Sequence, residues 1–392
     1  MAIISWFIPS LIKGSGGHRT MLVHAKALEN QGHECRIYVE GEGTDSSAAQ
    51  RISDLFGLSF SHVFYGWEKI APCDLCIATI WYSAKFVRDL SFTCKKLYFV
   101  QDYEAYFMPM GERYLFAENS YKYKIPIITI GRWLTNKLKR EFNCESYYYD
   151  FGAVPDNKIP DFKTREKAIC FIYQPDKPRR CARLGVEALG ILKAICPDIK
   201  IYLYGTSTKP KLWFDFEFLG LISTNQCREL YRRCSIGLCL SASNPSRIPF
   251  EMMSSGLPVV ELFRENNLYD MPDDCVQLCD QTPEALAQGM LHLMNNSDLL
   301  ERKSNACIKY MKNRTEDTET EQSTEIINKI IEDKDIEQII PKRLYKKQKM
   351  DAENEIATYL SNIHYSSPKV VRKSYLSRKW RYIKQLLKEL RK

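Results

Sequence analysis

Over its first 150 residues the chain alternates short apolar runs with segments whose apolar positions recur every three or four residues. The runs AIISWFIP, CRIYVE, LCIAT, KLYFVQ and PIITIG have the length and composition of buried strands, and the segments near 18–30, 82–90, 111–120 and 132–141 read as helices. Strands spaced by helical segments of this length predict βαβ units and a mainly parallel sheet.

GAVPDNKIPDFKTREK, rich in Gly, Pro and charge, then breaks the pattern as a linker does. The alternation restarts with KAICFIY, a helix in CARLGVEALGILKAIC carrying Leu184, Ala188, Ile191 and Leu192 on one face, and the strand IKIYLYG. TNQCRELYRRC to IGLCLS, PFEMMSSG to LPVVEL, and CVQLC to a helix beginning near Pro283 complete it. The expected fold class is α/β, with two Rossmann-like domains over residues 1–155 and 156–340 and a ligand in the cleft between them. Residues 313–340 read as a polar linker and a solvated helix.

Length and composition agree with this division: 392 residues, 45% of them hydrophobic, suffice for two cores. The start, MAIISWFIP, has no positive n-region and reads as a first strand, not a signal peptide. No run approaches the roughly 18 apolar residues of a spanning helix. The 14 cysteines lie within apolar segments such as CDLCIA and IGLCLS, as cytosolic thiols do. Cys73 and Cys76 form a CxxC that lacks a second pair or a nearby His, so neither zinc nor redox chemistry is expected of it.

The net charge of +8 is unevenly placed, because residues 341–392 hold 15 Lys or Arg against four Asp or Glu, and everything before them sums to −3. This argues against a nucleic-acid groove through the core. The final segment, KSYLSRKWRYIKQLLKELRK, has Trp380, Ile383 and Leu387 interrupting a basic surface. It reads either as a helix on an anionic membrane or as one packed on protein, with homo-oligomer formation left open. The expected location is cytoplasmic, extending to the inner face of the cell membrane.

Four polar segments follow strands and can carry chemistry. Gly16, Gly17 and His18, in GSGGHR, precede a helix whose free amides suit a phosphate or hydroxyl, with His18 expected to face the cleft. Asp102 and Glu104, just past KLYFV, can orient an acceptor hydroxyl or serve as acid and base, or else cap the next segment. Arg179 and Arg180, with Lys177, place cations at a helix start, where a diphosphate would justify them. In SNPSRIPFEMMSSGLPVV, Arg247 is a further cation, and Glu251 can accept hydrogen bonds from a ribose diol.

Together GSGGHRTMLVHAKAL, YFVQDYEAYFMPMG, PDKPRR and SNPSRIPFEMMSSGLPVV resemble bacterial rhamnan-type glycosyltransferases. These are the surface-layer glycan rhamnosyltransferase group within a large retaining family of two Rossmann domains. The resemblance spans roughly residues 3–300 and implies a GT-B fold and transfer of L-rhamnose from dTDP-L-rhamnose to a growing polysaccharide or lipid-linked glycan, without a metal or other cofactor. It also implies Gly16 and Gly17 near the sugar and diphosphate, Arg179 on the diphosphate and Glu251 on the ribose. Many members have two glutamates separated by seven residues; here the first is Ser243, so Ser243 and Asn244 are expected to offer neutral hydrogen bonds to the sugar. Retention would let the leaving phosphate take the acceptor proton, while Asp102 as base is the inverting alternative. A nucleotide-sugar epimerase and a noncatalytic membrane-associated scaffold are the competing readings.

Overall fold

Seven parallel strands form the first sheet: β1 (Ile3–Ile8), β2 (Glu34–Val39), β3 (His62–Tyr65), β4 (Leu75–Ala78), β5 (Lys95–Val100), β6 (Ile127–Ile130) and β7 (Ser146–Tyr149). The computed structural model describes residues 1–159, 161–352 and 356. The strand order is β3-β2-β1-β4-β5-β6-β7. Helices α1 (Gly16–Asn30), α2 (Asp45–Phe56), α3 (Trp81–Arg88), α4 (Glu112–Ser120) and α5 (Arg132–Phe142) lie in its connections. The central strands are apolar on both faces, as in β1, where Ile4, Trp6, Phe7 and Ile8 are all fully buried. Strands β3 and β7 close the two edges with HVFY and SYYY, whose polar atoms kept them below the apolar threshold in the sequence.

The second sheet repeats the same plan with β8 (Ala168–Ile172), β9 (Lys200–Tyr204), β10 (Glu217–Gly220), β11 (Ile236–Leu238), β12 (Val259–Leu262) and β13 (Val276–Cys279). Its order is β10-β9-β8-β11-β12-β13, the doubly wound order that reverses direction between its first and fourth strands. Its helices are α6 (Ala182–Ile195), α7 (Thr224–Arg233), α8 (Ile248–Ser254), α9 (Glu265–Asp270), α10 (Pro283–Asn295) and α11 (Ser297–Met311). Helix α6 is buried more widely than a single stripe, because Gly185 lies against the Phe171 ring and Gly190 against Trp213. A Cβ at Gly185 would fall 2.3 Å from the ring.

The segment expected to be a solvated helix is not solvated. Helix α12 (Glu316–Ile331) buries Glu319, Ser323, Thr324 and Ile327 against the first half of the chain, where Gln31 Nε2 donates to Thr324 Oγ1 at 2.9 Å. Nor is the linker loose, since Phe151, Gly152 and Ala153 are buried and Ala153 N donates to the Arg314 carbonyl at 3.0 Å. A Cβ on Gly152 would meet the Thr315 carbonyl oxygen at 2.2 Å, so only glycine permits this crossing of chains. The basic stretch after 341 runs beside β13, with Met350 N donating to the Leu278 carbonyl at 3.0 Å. The proposed tail helix lies outside the described residues, and no helix among those described is long and apolar enough to cross a membrane.

Candidate functional site

In the second sheet, the loops that follow β8 and β11 leave adjacent strands at the point where the strand order reverses, the position at which open α/β sheets form a crevice. The first loop ends in a single 3-10 turn, Pro178–Arg180, and Cys181 in the left-handed conformation (φ 46°) turns the chain into α6. Ala242 N donates to the Arg179 carbonyl at 2.9 Å and joins the two loops. The Arg180 guanidinium donates to Ser241 Oγ and, at 3.4 Å, to the Asn244 carbonyl.

Behind Ser241 stands a residue that sequence reading missed. Glu261 Oε1 accepts from Ser241 N and Leu262 N, each at 2.8 Å, and its other oxygen is buried without a hydrogen bond. Burial pushes its carboxyl up to about 8. The signal was a lone acid in the apolar strand LPVVEL.

Asp102 forms the joint to the first half. Its Oδ1 accepts from Asn244 N at 2.9 Å and from Tyr103 N at 2.8 Å, while Oδ2 accepts from Ser243 Oγ at 2.9 Å. Asn244 Nδ2 also donates to the carbonyls of Gln101 (2.9 Å) and Ile130 (3.1 Å), leaving its Oδ1 buried and unpartnered. Burial raises the Asp102 carboxyl, opposed by the Arg180 and Arg179 charges and by the Asn244 amide. Both carboxylate oxygens are thus occupied in holding the halves together.

Arg179 is less committed than Arg180. Its Nε lies 3.8 Å from Asp102 Oδ2 and its guanidinium sits over the Phe107 ring at 4.3 Å, without a hydrogen bond among the described residues. A stacked guanidinium of this kind keeps its donors for another acceptor.

The glycine loop departs in part from expectation. Gly16 and Gly17 are already helical, and the left-handed residue is Gly14 (φ 72°), with Ser15 as N-cap accepting from His18 N at 3.4 Å. Gln101 Nε2 donates to the Gly17 carbonyl at 3.1 Å, which links this turn to the Asp102 segment, while space beside Gly16 is open. His18 does not face the cleft. It is buried, its Nε2–H donates to the Pro9 carbonyl at 3.3 Å and its Nδ1 accepts from Ser15 at 2.8 Å, so both ring nitrogens are spent on the turn.

Glu104 is likewise structural in its contacts. It is buried, and its Oε2 accepts from Trp81 N at 2.6 Å, which satisfies the first amide of α3. Burial pushes its carboxyl up to about 8. It caps α3 rather than the segment that follows it.

Arg247 is also occupied. Its guanidinium donates to both oxygens of Glu319, to Thr20 Oγ1 at 3.2 Å and to the Gly152 carbonyl at 3.3 Å. Glu319 further accepts from His24 Nε2 at 3.1 Å and from Gly152 N at 2.9 Å. These are the chain crossings already described, so Arg247 braces the two halves. One turn later Glu251 stands in α8, opened by Pro249 and closed by Gly256 (φ 67°). Its carboxylate has no hydrogen-bond partner among the described residues, and burial raises it above the ordinary carboxylate range.

The structure therefore gathers Asp102, Arg179, Arg180, Ser243 and Asn244, ties Gly17 to them through Gln101, and sets Glu251 on the adjoining helix. His18 and Glu104 are turned into the first half. Among the described residues no group of three or more His, Cys, Asp or Glu side chains is placed to hold a metal.

Comparison with known proteins bears on the fold. Residues 167–291 match the family model "WsaF, C-terminal domain". The O-antigen biosynthesis protein RfbC of Myxococcus xanthus is 26% identical over 316 residues, which are 76% of this chain and 25% of RfbC, so the chain spans about a quarter of that relative. Among solved structures, Anabaena HepE in complex with UDP and glucose superposes with a TM-score of 0.63 at 14% identity, covering 84% of this chain and 100% of HepE. Sucrose-phosphate synthase from Thermosynechococcus elongatus gives 0.62 at 12% identity, covering 85% and 100%. The chain has the GT-B fold, and its sequence is related to an O-antigen biosynthesis protein.

Proposed function

We propose that the chain is a glycosyltransferase that moves a sugar from a nucleotide donor to a hydroxyl of a growing cell-surface polysaccharide or lipid-linked glycan. The observation that carries this reading is a pair of opposite charges, the Arg179 guanidinium in the loop after β8 and the Glu251 carboxylate in α8 after β11, at the switch point of the second sheet and without side-chain hydrogen-bond partners among the described residues. A nucleoside diphosphate requires both signs: hydroxyls of its ribose donate to Glu251, and its phosphates take the Arg179 fork.

In this reading the second half binds the donor and the first half the acceptor. Arg179, assisted by Arg180 and Lys177, stabilises the charge that grows on the diphosphate as the glycosidic bond breaks. The buried, unpartnered Asn244 Oδ1 accepts from a sugar hydroxyl. Asp102 keeps loop and strand end in register, and the leaving phosphate takes the acceptor proton on the same face, which gives retention. The specific donor is dTDP-L-rhamnose, supported by the motif resemblance in which Ser243 replaces a sugar-facing glutamate. The acceptor class is supported by the relationship to an O-antigen biosynthesis protein. Residues 341–392 bring the chain to an anionic membrane face.

A donor panel offered with polysaccharide and lipid-linked acceptors in the presence of a chelator, with product linkage determined, tests this. Transfer from dTDP-L-rhamnose with retained configuration is expected. Transfer only from another donor would overturn the sugar, and no nucleotide binding at all would overturn the function.

A further inference from the structure

At the end of the first sheet remote from these loops, the CxxC sequence is joined by a third thiol. Cys73 precedes β4 and Cys76 lies within it, their sulfurs 3.3 Å apart, and the Cys94 thiol sits against Cys76. Cys73 is partly exposed and Cys76 is buried. Beside them, Arg36 Nη1 donates to the Pro72 carbonyl at 3.3 Å, which fixes a cation next to Cys73. The Cys76 S–H bond to Cys73, with help from Ser5 and Arg36, draws the Cys73 thiol down to about 7, whereas that same bond, together with burial, holds Cys76 protonated until Cys73 is no longer a thiolate. An accessible thiolate beside a cation, with a second thiol in contact behind it, is the arrangement of an attacking and a resolving cysteine.

We propose that Cys73 and Cys76 form a thiol–disulfide exchange site whose co-substrate is a low-molecular-weight disulfide. The Cys73 thiolate attacks one sulfur of that disulfide, forming a mixed disulfide and expelling one thiolate. Cys76 then attacks Cys73 Sγ, closing the internal disulfide and expelling the second thiolate. Two electrons pass to the small disulfide, and the two protons of the cysteines leave with its two thiols. Among the described residues these three thiols are not placed to hold a metal together.

The test uses the full chain equilibrated with oxidised glutathione, alkylated, digested and mapped by mass. The expected result is a peptide holding Cys73 and Cys76 that is two hydrogens lighter and resists alkylation. Alkylation of the reduced chain should be fast at Cys73, with a pH midpoint near 7. Cys76→Ser should trap glutathione on Cys73, and Cys73→Ser should leave Cys76 free of it. Full alkylation of both sulfurs in the treated wild type, a lasting glutathione adduct on its Cys73, or a Cys76–Cys94 disulfide would each overturn the proposal.

Discussion

Glu319 holds Arg247 by both carboxylate oxygens, with Arg247 Nη1 donating to Oε2 at 2.6 Å, so a helix packed on the first half fixes the loop that precedes α8 in the second. Glu319 is buried with His24 and Thr20, and Arg247 is partly buried against them. Its position makes the orientation of Glu251, one helical turn beyond Arg247, depend on a residue far along the chain.

Removing one member strands the other charge. Glu319→Ala is expected to cost about 3 kcal/mol or more of unfolding free energy, and Glu319→Ala combined with Arg247→Met to recover much of that loss. Denaturant midpoints for the two variants decide it; equal loss in both would deny the coupling.

The same pair sets an acid limit. Arg247 and His24 hold the Glu319 carboxyl down at about 2, below its unfolded value near 4.3. A depressed acid stabilises the fold above its unfolded pKa and loses that stabilisation as pH falls through the folded one. Stability should therefore decline between about pH 4.5 and 2, and Glu319→Gln should flatten that decline in pH-resolved unfolding curves.

Asp270 has the opposite sign. It accepts from Arg132 N at 2.7 Å and Trp133 N at 3.1 Å, capping α5 of the first half, and burial pushes it up to about 7. A raised acid binds its proton more tightly when folded, so its contribution weakens as pH rises from about 4 to 7. Asp270→Asn removes the titrating carboxyl, at the cost of the acceptor for one of the two amides, and should remove this slope, seen as a smaller difference between unfolding midpoints at pH 5.5 and 8.5.

Glu251→Gln should weaken nucleotide binding by about 10-fold or more, the scale of a hydrogen bond to a charged group, while leaving thermal stability unchanged or higher. A nucleotide titration and a melting scan on one preparation separate the two effects. Intact affinity would remove Glu251 from the ribose.

Arg179→Ala is expected to lower kcat about 100-fold with little change in melting temperature, because Arg179 makes no side-chain hydrogen bond among the described residues. Arg180→Ala should lower both, since Arg180 carries Ser241 and the Asn244 carbonyl. Steady-state kinetics beside melting curves distinguish them, and the reverse ranking would exchange their roles.

Much of this fold is legible along the chain. Buried parallel strands are apolar on both faces, so the inner strands announce themselves, and Pro249, Glu251 and Gly256 mark α8 by local backbone requirements alone. The edge strand β3 escaped because its His62 side meets solvent and tolerates polar atoms, and β7 because its run of Ser and Tyr reads as polar although it is largely buried. Helix α12 was misread because its acidic stretch has a solvated composition, while Glu319 is neutralised by partners nearly 300 and about 70 positions away.

The candidate loops could be found for the same reason: a polar segment after an apolar strand is a local signal. Which of their side chains remain available is not local. Asp102, Glu104, His18 and Arg247 are equally polar in sequence, and only the folded chain shows Asp102 joining the halves, Glu104 capping α3, His18 closing its own turn and Arg247 paired with Glu319. The sequence by itself determined the two α/β halves and the loops at their strand ends, because backbone periodicity and turn chemistry act over a few residues. The tertiary structure alone decided that, among the described residues, Arg179 and Glu251 make no side-chain hydrogen bond and Arg179 keeps only its 3.8 Å contact with Asp102, because hydrogen-bond satisfaction in a buried site is settled by whichever groups the two sheets bring within about 3 Å.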